Sequence, residues 1–242
     1  MHVSASQITT FLDCPRKWFF DKIVGLERKT NESAELGSAV HELLEKYIRG
    51  ELEEMPDTQA GRVAKQGLHR IDLKRELAVE LSLEDLPIKD SPCEVKGFID
   101  VLDYTNGEII DHKTTKSRRW TKTPSELAVN TQMIIYAKAY LDNNPNVNKV
   151  TLTHLYYGTK DEFSEKVSIE VSRAHVINQW NYLKKIINEM MQASSLPNAG
   201  ACTASHETCD KYGGCPFRTQ CTHAKDYKPQ QRKKNKLMPK QE

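Results

Sequence analysis

The 242-residue chain has no apolar run approaching the roughly 20 residues that a membrane-spanning helix needs, so no membrane partner is expected. It lacks an excess of either charge, with 35 Lys and Arg against 33 Asp and Glu and a formal net charge of +2. Without bulk charge, any contact with a polyanion must come from a local groove or a terminal segment. No G-x-x-x-x-G-K-[ST] occurs, which excludes a P-loop motor driven by ATP. Met1–Thr10 has no apolar centre of the kind a secretory signal carries, so a cytoplasmic protein with reduced thiols is expected. Closely paired cysteines are missing too, and none of the six forms the C-x2–4-C knuckle usual in zinc sites. There is no internal repeat.

What charge there is sits unevenly. Seven basic residues from Lys225 to Lys240 face only Asp226 and Glu242, so 225–242 carries +5 and leaves the body at −3. That segment reads as a basic, disordered tail behind a single domain over 1–224. Ser4-Ala5-Ser6-Gln7 has capping-box form, with Ile8, Phe11 and Leu12 following at helical spacing. Pro15 starts a second helix, and a third is expected over Glu35–Arg49 with His41 on its flank. The polar stretch 51–75 is ambiguous. Leu77, Val79, Leu81 and Leu83 alternate as in a half-buried strand. Glu94–Asp103 and Glu108–Thr114 read as strands joined at Asn106-Gly107, which predicts a three-strand antiparallel meander. Thr123-Pro124-Ser125-Glu126 caps a helix running to about Leu141. Strands Val150–Tyr157 and Val167–Val171 follow, then a long helix capped by Ser172. The order predicts a mixed α/β core, a central mixed sheet flanked by helices.

Asp111 and Lys113 share one strand face, and His112 points away. Asp100 ends the preceding strand, and counting back from the turn makes it a candidate neighbour of Asp111 across the hairpin. Two carboxylates about 4 Å apart repel by roughly 1 kcal/mol in water and several-fold more where the effective dielectric is about 20. Such a pair persists through protonation, an intervening lysine or a bridging divalent cation. Two aspartates with a lysine suit a hard cation that activates water. The alternative is an ordinary surface Asp–Lys pair. Glu80 reads as solvent-facing, and His154 and the His112 side chain as structural.

Cys209-x5-Cys215-x5-Cys221 places three thiols at regular spacing, and Cys14 is a candidate fourth, with Cys202 competing for the place of Cys209. Four thiolates suit a [4Fe–4S] cluster or a tetrahedral zinc, and the missing knuckles favour iron–sulfur. Cys93 reads as an inert buried thiol. Lys116, Arg118, Arg119, Trp120 and Lys122 interleave basic residues with an aromatic, which suits phosphates and a stacked base or else a solvated loop.

Four motifs occur in order: Gly37-Ser38-Ala39-Val40-His41, Gly97-Phe98-Ile99-Asp100, Asp111-His112-Lys113 and Gln132-Met133-Ile134-Ile135-Tyr136. The set resembles the RecB-like branch of the PD-(D/E)XK nuclease superfamily. The ends, Ser4 through Pro15 and Tyr212-Gly213-Gly214-Cys215-Pro216-Phe217 with Cys221, resemble its iron–sulfur members, including CRISPR-associated and phage exonucleases. The resemblance implies a metal-dependent exonuclease acting on single-stranded DNA or duplex ends. His41, Asp100, Asp111 and the His112 carbonyl would hold Mg²⁺ or Mn²⁺, with Lys113 as the catalytic lysine and Gln132 and Tyr136 lining the site. It further implies a [4Fe–4S] subdomain formed by about 1–30 and 196–224, and a separate helicase, recombination or CRISPR protein as candidate partner. The rivals are a DNA-binding or assembly module with a vestigial site, against which intact Asp100, Asp111 and Lys113 argue, and a zinc-stapled DNA-binding protein.

Overall fold

The computed structural model describes residues 2–27, 32–211 and 214–225. Ser4 opens α1 (Ala5–Asp13) by accepting from the Gln7 amide at 3.3 Å. The Gln7 side chain does not close the expected capping box. Its Oε1 instead accepts the buried indole N–H of Trp18 at 3.4 Å, a donor that would otherwise be stranded in the core. Cys14 ends α1, and Pro15 starts α2 (Pro15–Lys22), where its missing N–H costs nothing. Helix α3 (Glu32–Ile48) buries Val40 and Leu44. The polar stretch 51–75 yields only α4 (Gln59–Lys65) and a 3-10 turn at Leu68–Arg70.

Strands β1 (His2–Val3), β2 (Leu77–Ser82), β3 (Glu94–Val95), β4 (Phe98–Asp103), β5 (Glu108–Thr115), β6 (Lys149–Gly158) and β7 (Ser164–Ser172) make two sheets. Five form the central sheet in the order β2-β4-β5-β6-β7, antiparallel except for the parallel pair β5–β6. The expected meander is β2-β4-β5. The strand expected over Glu94–Asp103 is cut at Lys96-Gly97. Its first part, β3, leaves the large sheet and pairs with β1, where the Lys96 N–H donates to Val3 O at 2.8 Å.

A parallel pair needs a crossover, and α5 (Pro124–Ala128) with α6 (Thr131–Asn143) supplies it. One helix was expected there. Val129 leaves the helical region (φ −115°, ψ 12°), and Asn130 caps a new start by accepting from the Met133 amide at 3.2 Å. Helix α7 (Arg173–Ser194) follows its predicted Ser172 cap, and a short α8 (Thr222–Lys225) comes last.

Alternation along β5 divides the apolar residues between two cores. Ile109 joins Leu102, Leu152 and Tyr156 beneath Trp18, Met133 and Trp180 from α2, α6 and α7. Ile110 joins Val101, Leu155 and Tyr157 beneath Val40, Leu44 and Val63 from α3 and α4. The terminal segments meet at Arg16, whose guanidinium donates to the carbonyls of Gly200 and Cys202. Among the described residues no helix is long and apolar enough to cross a membrane. Asp226–Glu242, and so nearly all of the expected basic tail, and Tyr212-Gly213 of the carboxy-terminal motif lie outside the described residues.

Candidate active site

The β4–β5 hairpin turns through Gly107 at φ +60°, a conformation glycine adopts without a side-chain clash. Val101 stands opposite Ile110, so one further position puts Asp100 level with Asp111. Asp100 also accepts the His112 amide at 2.7 Å through Oδ2. Burial, then the neighbouring Asp111 carboxyl, pushes the Asp100 pKa well above the usual carboxylate range.

Lys113 follows two residues on from Asp111, and its Nζ lies 2.5 Å from Asp111 Oδ2. The same ammonium donates to Gln132 Oε1 at 3.0 Å, and Gln132 Nε2 donates to the Tyr136 hydroxyl at 2.9 Å. Gln132 and Tyr136 sit one turn apart on α6, so a single helix face holds the lysine. Burial works against the Lys113 charge, but Asp111 outweighs it and holds the pKa above the ordinary lysine value. Gln132 and Tyr136 also line an open groove of about 520 Å³ with Ser4, Thr9, Asp13 and Lys17.

His41 reaches the acids from the other face, with Nδ1 3.4 Å from Asp100 Oδ2. Gly37, one turn earlier, lets α3 close on β5. A Cβ there would lie 3.2 Å from Thr114 Oγ1, tighter than most such contacts. Burial lowers the His41 pKa. The His112 ring, buried beside it, pairs Nδ1 with the Tyr157 hydroxyl at 3.1 Å, and burial pushes its pKa down to about 3. It is the His112 amide that serves Asp100.

Two residues set aside at the sequence level belong to this site. Glu80 falls between the pairs Val79↔Val101 and Leu81↔Ile99, level with Asp100, but adopts φ +50° and makes no ladder pair. It is half-buried, not solvent-facing, and lines a cleft with Gly37, His41, Glu45 and Thr114. His154 pairs with Asp111 in the β5–β6 register, its Nε2 3.7 Å from Asp111 Oδ2, and burial pushes its pKa down to about 4. Glu80, Asp100, Asp111 and His154 thus form one row across four strands. Beyond it, Lys116 is exposed, Arg118–Trp120 form a 3-10 turn, and the Lys122 amide donates to the Tyr156 hydroxyl at 3.0 Å. Arg119 lies over the Trp120 ring at 5.0 Å, and Trp120 is 64% exposed.

The cysteines gather elsewhere. Cys14, Cys209, Cys215 and Cys221 line one small cavity with Phe20 and Phe217, and all are free thiols. Burial raises the Cys209 pKa, and the nearby Cys215, Cys14 and Cys221 add to it. Cys202 does not line this cavity and packs into the main core. Cys93 is only half-buried.

The family model of the PD-(D/E)XK nuclease superfamily matches this chain over residues 2–77 and 62–222. The chain belongs to that superfamily. No curated protein sequence shows significant similarity to it. Among solved structures, a provisionally assigned exonuclease from Eubacterium rectale is 14% identical, with 80% of this chain and 81% of that one covered at a TM-score of 0.47. A phage-related exonuclease from Haemophilus somnus 129PT is 15% identical, with 78% and 96% covered at a TM-score of 0.26.

PD-(D/E)XK nucleases typically use divalent metals. Among the described residues no three or more His, Cys, Asp or Glu side chains close into a ready-made coordination shell. The donors nevertheless fit a cation: Asp111 is fully buried and its Oδ1 has no hydrogen-bond partner, beside a second buried acid. An unpaired buried carboxyl oxygen is costly, and a divalent ion would satisfy it. The four cysteines on one cavity likewise offer the all-sulfur donor set of an iron–sulfur or zinc centre.

Proposed function

We propose that this PD-(D/E)XK protein is a divalent-metal-dependent deoxyribonuclease that works as an exonuclease on DNA ends. The observation that carries the reading is the unbroken line from the Tyr136 hydroxyl through Gln132 and Lys113 to Asp111. A merely structural Asp–Lys pair needs no amide and phenol to aim the ammonium. Here they hold it beside two buried acids, Asp100 and Asp111, at the point where a scissile phosphate would meet both a cation and an amine.

Asp100, Asp111, His41 and the His112 carbonyl would hold Mg²⁺ or Mn²⁺, and an imidazole among the ligands suits Mn²⁺. When bound, the ion supplies Lewis acidity and makes water a better nucleophile. Lys113 orients that water or neutralises charge developing on the phosphate. Gln132 keeps the ammonium from swinging into solvent, and Tyr136 keeps Gln132 in its rotamer. Lys116, Arg118, Arg119 and Lys122 meet phosphates of the incoming strand, and Trp120 stacks on a base.

Cys14, Cys209, Cys215 and Cys221 would carry a [4Fe–4S] cluster. It would join about 1–30 to 196–224 within one nuclease domain over 1–224, in the reducing cytoplasm that keeps such thiols available. Clipping positions so far apart restrains the unfolded chain strongly. A helicase or recombination protein would act as a separate chain.

End-labelled single-stranded and duplex DNA incubated with Mg²⁺, Mn²⁺ or chelator tests the activity. Progressive shortening with either metal, abolished by chelator and by Asp111→Asn, is expected. Inert wild-type protein would overturn the nuclease reading, and equally fast cutting of covalently closed circles would replace exonuclease with endonuclease. Anaerobic purification tests the cluster: a brown protein absorbing broadly near roughly 400 nm is expected, and a colourless zinc-containing one would put zinc in its place.

A further inference from the structure

His154 lies beside Asp111 in parallel register and is 1% exposed. Its Nε2 has no hydrogen-bond partner and faces Asp111 Oδ2, the oxygen that Lys113 Nζ also approaches, across 3.7 Å. Leaving buried polar atoms unsatisfied costs about 1–3 kcal/mol each. Here one nitrogen is paired and the other is aimed at the acid in the middle of the site.

The pairing on the far side favours one polarity. Nδ1 lies 3.0 Å from the Tyr156 hydroxyl, and that oxygen accepts the Lys122 backbone N–H at 3.0 Å. A backbone amide only donates, so the phenol proton is left for His154 Nδ1. In the tautomer that this pairing favours, the ring hydrogen sits on Nε2, facing Asp111. A shift of less than an ångström in the carboxyl would bring the pair into hydrogen-bond range.

We propose that His154 is a positioning residue, orienting Asp111 for its cation by donating from Nε2, and that Tyr156 couples it to the basic loop that ends at Lys122. A phosphate seated on that loop would bear, through Tyr156 and the imidazole, on the carboxyl that holds the cation. The inference rests on the metal role proposed for Asp111.

The test is Mn²⁺ binding to the DNA-free protein, measured by calorimetry or electron paramagnetic resonance. Three proteins are compared: wild type, His154→Leu, which fills the space without a donor, and His154→Gln, which offers an amide N–H. Partners that orient a metal ligand typically contribute 10- to 100-fold in affinity, so His154→Leu is expected to weaken Mn²⁺ binding by about that factor and His154→Gln to recover most of it. A Leu variant within about two-fold of wild type, or a Gln variant as weak as Leu, overturns the proposal. Should His154→Leu fail to fold, Tyr156→Phe gives the second measurement: it leaves the ring in place but releases its tautomer, and unchanged Mn²⁺ affinity there overturns the proposal. Wild type that binds Mn²⁺ and cuts DNA beside an unaffected Leu variant removes this inference alone. Wild type that does neither removes the nuclease reading with it.

Discussion

Burial works against the Lys113 ammonium, and the charge survives because Asp111 and Gln132 surround it. Replacing it with alanine takes the amine from the site but leaves the exposed basic loop untouched. Lys113→Ala is therefore expected to lower the cleavage rate by about 10²–10³-fold, the loss typical for one charge-stabilising donor. Binding of uncut DNA, measured in Ca²⁺, should stay within about two-fold. Asp100 presents the opposite case. Its raised pKa means that the folded state holds the proton more tightly than the unfolded chain does, so the contribution of Asp100 to stability is greatest below the ordinary carboxylate range. As pH rises from there through the raised value, the metal-free protein loses that stability. Asp100→Asn keeps an oxygen for the His112 amide and removes the repulsion with Asp111. Without metal at neutral pH it should melt above the parent, by about 1–2 kcal/mol, and cut no DNA, since relieving strain in a site commonly stabilises at the cost of function.

At the scale of elements, the approach of α3 to β5 decides where His41 sits. Gly37→Ala should favour the helix intrinsically by about 1 kcal/mol, but its methyl would press on Thr114 at 3.2 Å. The expected outcome is a melting temperature close to wild type together with a several-fold higher Mg²⁺ concentration for half-maximal cleavage. An unchanged Mg²⁺ requirement would show that the helix absorbs the methyl without moving His41. The same scale explains what was legible beforehand. Asp100, Asp111 and Lys113 lie on one hairpin whose register an Asn-Gly turn sets locally, and Gln132 and Tyr136 are one helical turn apart, so spacing put each set on one face while the family resemblance tied the two sets to one site. His154 was not legible, because it meets Asp111 only through a parallel pairing after a helical crossover. Nothing within Val150–Tyr157 records that pairing. Glu80 escaped for another reason: a left-handed backbone at a bulky residue is rare, and the alternating pattern around it reads as regular strand. The break at Val129 was hidden because Asn130 is a good cap only if the chain has already turned out of helix, and that depends on packing against the sheet.

For the whole molecule, two buried histidines set the response to acid. His112 and His154 are held neutral by burial, with pKa values pushed down to about 3 and about 4. In the unfolded chain both return to about 6.5. Below that pH the unfolded chain takes up protons that the folded one refuses. Stability should fall by about 1.4 kcal/mol per pH unit for each histidine, until the folded-state values are reached. Asp100 opposes this over part of the range, so the check is the difference between wild type and His154→Leu: urea midpoints measured from pH 7 down to pH 4 should fall less in the variant.

The parallel pairing of β5 with β6 also governs the order in which competence returns after denaturation. The β4–β5 hairpin closes over a few residues and can form early, whereas Asp111 and Lys113 gain their neighbours His154 and Tyr156 only after about forty more residues have crossed over. Pairings that distant in sequence are slow to form. A refolding experiment followed by far-ultraviolet circular dichroism and by Mn²⁺ uptake should show two separate clocks, with strand signal restored well before the protein captures the ion.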